Sequence, residues 1–200
     1  MKNGIKPIYI LLVILVVGAF TLINAYNRIA GNDEKVAAAW SEVVNQYQRR
    51  ADLIPNLVNT VKGYTTHERE VLVELTNARA KVGSVQLTVD QLTDEAAVKR
   101  FQQAQQELSS ALSRLIAVSE NYPELKASEL YSNLMTQLEG TENRIAVARG
   151  RYIESIQEYN SYIRRLPGML LASFIGSQPK AQFTVENEKE ISQAPQVSFD

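Results

Sequence analysis

The chain has 200 residues, 45% hydrophobic and 22% charged, with a formal net charge of −1, which suits one domain plus a membrane segment and enough apolar material for a real core. Lysine and arginine are interleaved with acids throughout, so there is no electrostatic footprint for nucleic acid. The absence of cysteine excludes disulfides, thiolate metal sites, thiol nucleophiles and a lipidated cysteine anchor, and a single histidine removes most catalytic and metal constellations.

In chain order, the first element is apolar. From Pro7 to Asn27 there is no charged residue, and such a stretch, wound as a helix, reaches roughly 31 Å, the hydrocarbon thickness of a bilayer. One spanning helix is expected. A competing reading is a cleaved secretory signal, with Lys2 and Lys6 as its basic start and Ile23-Asn24-Ala25 as a weak cleavage site. Lys2 and Lys6 also place the N-terminus inside and the large domain outside the cytoplasm, because Arg28 and Lys35 on the other flank are mixed with Asp33 and Glu34.

Residues 28 to 36 hold no strong breaker. Gly31 costs only about 1 kcal/mol relative to alanine in a helix, so the membrane helix is expected to run on as one rod from about Ile8 to Tyr64. Along it, Trp40, Tyr47, Ile54 and Val61, with Val43, Arg50, Leu57 and Tyr64, form a heptad seam that is apolar except at Arg50. Pro55 falls inside this run, deprives Ala51 of a backbone hydrogen bond and predicts a kink, with Arg49, Arg50, Asp52, Asn56 and Asn59 as polar groups able to bond to it.

Gly63-Tyr64-Thr65-Thr66 stops the rod, with Thr66 as a cap for a second helix, about His67 to Lys81, that presents Val71, Leu75 and Ala78 with Leu72 beside them. Residues 84 to 93 read as a loop offering Asp90 or Thr93 as a cap. A third helix carries Ala97, Phe101, Ala104, Leu108, Ala111, Leu115 and Val118 and ends near Glu120, before Asn121-Tyr122-Pro123. A fourth, from Ser128 to Leu166, carries Tyr131, Leu134, Leu138, Thr141, Ile145, Ala148, Tyr152, Ile156, Tyr159 and Ile163. Short connections favour antiparallel neighbours, and the heptads set Trp40 level with Tyr159, Tyr47 with Tyr152, Ile54 with Ile145 and Val61 with Leu138. That register brings Pro55 to Glu142, Asn143 and Arg144 and predicts a polar layer there, with Asp52 and Arg144 as one pair.

The expected fold is therefore all-α, an N-terminal transmembrane helix continuing into an antiparallel four-helix bundle of long helices. Its parts are an N-terminal tail and transmembrane helix (1–27), the helical bundle (28–175) and a flexible C-terminal tail (176–200). Residues 169–175, a largely apolar run of seven residues too short to span a membrane, are expected in the headgroup layer, beside the stalk or in ordinary core packing.

The chemistry is sparse. A carboxylate-bridged two-metal site in a bundle needs Glu-x-x-His on two helices, and the lone His67 follows Tyr64 instead. No phosphate-binding glycine loop, nucleophile elbow or zinc-protease pattern occurs. Glu68, Glu70 and Glu74 form an acidic edge read as a solvated face, and His67 reads as a surface or capping residue. No catalytic, cofactor-binding or metal residue is assigned, and neither a cofactor nor a small-molecule substrate is expected.

Two runs carry a family resemblance. Tyr47-x-Arg49-Arg50-Ala51-Asp52-Leu53-Ile54-Pro55-Asn56-Leu57-Val58, followed by Val61-Lys62-Gly63-Tyr64 and His67-Glu68, resembles the signature of the bacterial LemA proteins, and Leu138-Glu139-Gly140-Thr141-Glu142-Asn143-Arg144-Ile145-Ala146-Val147-Ala148-Arg149 is similar to that family's other marked segment. The resemblance covers roughly residues 1 to 176, and the chain departs from the family pattern at Tyr152-Ile153, Leu166-Pro167 and Ile175-Gly176-Ser177. It implies a single-pass bacterial plasma-membrane protein with a helical bundle.

Three function classes follow. The first is a membrane-anchored structural or assembly protein that self-associates as a homo-oligomer, toward which the surplus aromatics Trp40, Tyr47, Tyr152, Tyr159 and Tyr162 point. The second is an adaptor or regulator of another membrane protein complex, in envelope stress or proteolysis. The third, an enzyme, needs a constellation the chain lacks.

Overall fold

A computed structural model describes residues 7–65 and 67–183, and the helices found there are α1 (Pro7–Lys62), α2 (Arg69–Ser84), α3 (Glu95–Ser119), the short α4 (Pro123–Lys126), α5 (Glu129–Ile163) and α6 (Gly168–Ile175). Among the described residues there is no strand. Lys2, Lys6 and Thr66, which carried the orientation and capping readings, lie outside them, as do 184–200 of the tail.

α1 is a single helix from the apolar N-terminal stretch into the bundle, unbroken at Gly31 and Pro55. Its large apolar side chains are exposed from Ile8 to Tyr26, and burial begins at Ala25 and Ile29. From there every seam residue is buried through Val61; Tyr64, expected on the seam, lies past the helix end and is exposed. The proline is accommodated from outside the helix. Pro55 leaves the carbonyl of Ala51 without its intrahelical donor, and Nε of Arg79, on α2, donates to that oxygen at 3.1 Å. None of the polar residues around Pro55 fills this role; Asp52 instead accepts from Gln48. Arg79→Ala should therefore cost about 0.5–1 kcal/mol in the native chain, and less in a Pro55→Ala background, where the helix supplies its own donor. Equal costs in the two backgrounds, measured by thermal denaturation, would contradict this account.

α1 and α5 run antiparallel and form the main packed pair, with α2 and α3 as a second antiparallel pair. All ten expected seam residues of α5 are buried. The register differs from expectation by one heptad: Trp40 meets Tyr152, not Tyr159, with ring centroids 5.1 Å apart, and Lys35–Glu158, Glu42–Arg151 and Arg50–Glu142 are the ion pairs along the interface. A slip of seven residues keeps both seams facing each other, so periodicity does not choose between the two registers. Charge matching along the interface favours the observed one.

The connection before α3 is also more structured than a loop. Val89–Thr93 forms a 3-10 turn that buries Leu92, and Asp94, rather than Asp90 or Thr93, caps α3 by accepting from the backbone of Ala96 and Ala97. Asp94 is well placed, because a carboxylate there satisfies orphan N–H groups and sits at the positive end of the helix.

After α5 the chain turns into α6, which packs Ala172 into a cluster with Ile29 and Ile163. Gly168 makes that turn possible. A Cβ there would overlap the carbonyl oxygen of Tyr162 and lie 2.9 Å from its ring, so Gly168→Ala should cost about 1–3 kcal/mol through overpacking. A thermal midpoint unchanged by the substitution would rule that contact unimportant.

Gly176, at φ 74°, ends α6 in the left-handed conformation that favours glycine. Beyond it, residues 177–183 of the expected tail pack back onto the bundle. Asn160 grips the backbone of Lys180 with both ends of its amide, donating to the carbonyl at 2.8 Å and accepting from the N–H at 2.9 Å, and the N–H of Ala181 donates to Leu92 O at 2.7 Å. Phe183 is buried. One aromatic residue in an extended segment has no helical period, so hydropathy patterning does not reveal it.

Candidate functional site

The core divides into two apolar clusters stacked along the bundle. The membrane-proximal one holds Ile29, Val36, Trp40, Val43, Tyr47, Phe101, Tyr152, Tyr159 and Phe183; the distal one holds Ile54, Leu57, Val61, Leu75, Leu108, Leu115, Tyr131 and Leu138. Between them lies a polar layer centred on Arg50, the one charged seam residue.

Arg50 has a side chain only 2% exposed, and its guanidinium joins three helices. It donates to Glu142 at 2.9 Å and Ser109 at 2.9 Å through Nη1, and to the Gln105 side chain at 2.6 Å and the Gln105 carbonyl at 3.1 Å through Nη2. Its carbon also sits 5.1 Å from the centre of the Tyr47 ring. The expected polar layer therefore exists at this height, with different members: Arg50 and Glu142 form the pair, whereas Asp52, Asn143 and Arg144 are exposed. A buried arginine held this way fixes which turn of α5 faces which turn of α1. The hydrophobic seam alone leaves that choice open.

The second feature is the aromatic cluster closed by the C-terminal segment. Trp40 contacts Phe101, Tyr152 and Phe183 at centroid distances of 5.2, 5.1 and 6.0 Å, and its indole N–H donates to the carbonyl of Leu87 at 3.0 Å. Arg149 lies 5.0 Å above the Phe183 ring, and Lys180, tied to Asp33 at 2.8 Å, lies 5.4 Å from Tyr159. The aromatics that pointed toward self-association are thus occupied within the chain: Trp40, Tyr47, Tyr152 and Tyr159 are buried and Tyr162 is half-buried.

Burial raises the phenol pKa of Tyr47, Tyr152 and Tyr159; the cations Arg149 and Arg50 oppose the rise at Tyr47, and a hydrogen bond with Ser177 opposes it at Tyr159. In the folded state these phenols hold their protons above the ordinary value near 10. Their stabilising effect is complete below pH ~10 and declines as pH rises toward the raised folded values, where only the unfolded chain ionises. The denaturation midpoint should therefore fall above pH ~10, with the last of the tyrosinate absorbance appearing together with loss of helix. Full ionisation of all tyrosines in an intact fold would refute the prediction.

The residues singled out in the sequence for chemistry do not converge. His67 is exposed, and only its backbone N–H is engaged, with Thr65. Glu68 accepts from Tyr122, Glu74 pairs with Arg114, and Glu70 is exposed. No group of three or more His, Cys, Asp or Glu side chains able to hold a metal occurs among the described residues. Sequence reasoning missed Arg79, Gln105, Ser109, Asn160 and Phe183; Arg50, the polar break in an apolar seam, and Glu142, placed in the expected polar layer, left a signal.

These features define a membrane-associated, all-helical protein in which an apolar N-terminal helix continues into a bundle locked by a buried arginine layer. The chain belongs to the LemA family, whose model matches residues 39–199. It is similar to Magnetosome protein MamQ 2 of Paramagnetospirillum magneticum, 29% identical over 92% of this chain and 75% of that protein. It is also similar to Magnetosome protein MamQ of Magnetospirillum gryphiswaldense, at 28% identity over 98% of this chain and 79% of the relative. Protein LemA of Metamycoplasma hominis is 26% identical over 79% of this chain and 69% of its own length.

Proposed function

We propose that this protein is a structural component of the bacterial plasma membrane, spanning it once, holding its bundle outside the cytoplasm and assembling with further copies of itself rather than catalysing a reaction. The observation that carries this reading is the continuity of α1. One helix of 56 residues is both the membrane segment and the central element of the bundle, so the bundle is held at a fixed height and angle, as a lattice or scaffold requires. The largest apolar surface it leaves open is the membrane helix, and helices associate there through close packing.

The native mass of the full-length protein, extracted in gentle detergent or native nanodiscs, tests this. A defined assembly of identical chains is the expected result. One chain bound to a different protein would replace it with an adaptor function, for which the open groove of about 1060 Å³ between α2 and α3, lined by Val73, Ala78, Gln103 and Gln106, is a fitting surface. A lone monomer would overturn both readings of assembly.

A further inference from the structure

α6 closes the membrane-proximal end of the bundle and carries two faces. Its inner face, Gly168 and Ala172, packs on α1 and α5. On its outer side Leu170 and Phe174 stand four residues apart on one stripe of the helix, at 64% and 89% exposure, with Met169 beside them. Phe174 is more exposed than any other large apolar residue described.

The height of this stripe is set by α1. The cluster that receives Ala172 includes Ile29, just past the point where the exposed apolar stretch ends and burial begins at Ala25. Cations stand on its flanks. Arg28 lies 4.9 Å from the Tyr162 ring, and neither Arg164 nor Arg165 is paired with a carboxylate among the described residues. The nearby carboxylate of Asp33 is occupied by Lys180.

An apolar stripe flanked by unpaired arginines, level with the mouth of a membrane helix, matches what an interfacial helix needs: apolar side chains among the upper acyl chains and cations at the phosphates. Resting on the membrane-anchored reading above, we infer that α6 is a second membrane contact, lying in the headgroup layer of the leaflet from which α1 emerges. Leu170 and Phe174 enter the lipid there, and Arg164 and Arg165 engage anionic phospholipid. Because α6 is packed on the stalk, it also fixes the rotation of the bundle about α1, which a single spanning helix leaves free.

The cysteine-free sequence allows a direct test. Full-length protein carrying Phe174→Cys, Phe20→Cys or Val147→Cys is spin-labelled one site at a time and reconstituted in vesicles of phosphatidylethanolamine and phosphatidylglycerol. Collisions of each label with oxygen and with a water-soluble nickel chelate are then compared. The expected result is oxygen-dominated collision at 174, as at 20, with chelate-dominated collision at 147. Adding Arg164→Gln and Arg165→Gln should shift 174 toward the chelate.

A label at 174 that behaves like 147 while 20 reports lipid overturns the role of α6 and leaves the spanning helix standing. Shielding of 174 from both reagents means that protein, not lipid, covers the stripe, and also overturns it. Indifference of 174 to the double arginine substitution removes anionic phospholipid from the inference. Chelate-dominated collision at 20 overturns the membrane-anchored reading itself.

Discussion

Trp40→Ala is expected to destabilise the bundle by about 4 kcal/mol, toward the upper end for a buried aromatic. The indole is 2% exposed and stands where four parts of the chain meet: α1, Phe101 from α3, Tyr152 from α5 and Phe183 from the C-terminal segment. Truncation removes the ring contacts and leaves a cavity that three aromatic neighbours, each held by its own helix or clamp, cannot collapse to fill. It also removes the hydrogen bond to Leu87, which ties the connection between α2 and α3 to α1. Trp40→Phe keeps most of the packing and loses that bond, so its cost should be about 1–2 kcal/mol. Denaturant midpoints of the full-length protein in detergent check both. A loss under about 1 kcal/mol for Trp40→Ala would mean that this cluster is not the centre of the membrane-proximal core.

The second large effect lies in the polar layer, where the two partners of one ion pair should respond unequally. Glu142→Ala leaves the Arg50 guanidinium, with its side chain 2% exposed, without its only carboxylate among the described residues. An uncompensated buried charge costs about 3–5 kcal/mol; because the Glu142 side chain is 44% exposed, water can reach the gap, and about 2–3 kcal/mol is the expected loss. Arg50→Met should cost less, since the stranded group is then a carboxylate that solvent reaches and the replacement fills the apolar seam. The double substitution should be milder than the sum of the two, because Glu142 has no buried cation left to balance. Strict additivity would show that the two side chains do not act as a pair.

The helical framework was legible because heptad spacing is a local property. The α5 seam from Tyr131 to Ile163 is buried at every expected position, and the rod through Gly31 and Pro55 follows from the small cost of one and the compensation of the other. What was hidden is what periodicity cannot encode. A one-heptad slip leaves every seam residue on the same face, so the pairing of Trp40 with Tyr152 depends on long-range charge matching. The partners of Arg50 come from α3 and α5, distant in sequence, and the donor for Ala51 comes from α2. Phe183 and the Asn160 clamp act through an extended segment, where a single aromatic and a backbone amide leave no pattern to read. The site was therefore visible only in part, as an arginine on an apolar stripe with Glu142 expected at its height.

The apolar N-terminal segment and the bundle share one unbroken helix. Spin labels at Leu22→Cys and Val44→Cys, both exposed positions on α1, measure it directly in the reconstituted full-length protein. Twenty-two residues of helix predict backbone positions about 33 Å apart, and a narrow distance distribution centred near that value is the expected result. A broad distribution, or a centre displaced by more than label flexibility allows, would show a hinge between membrane and bundle and contradict the rigid stalk.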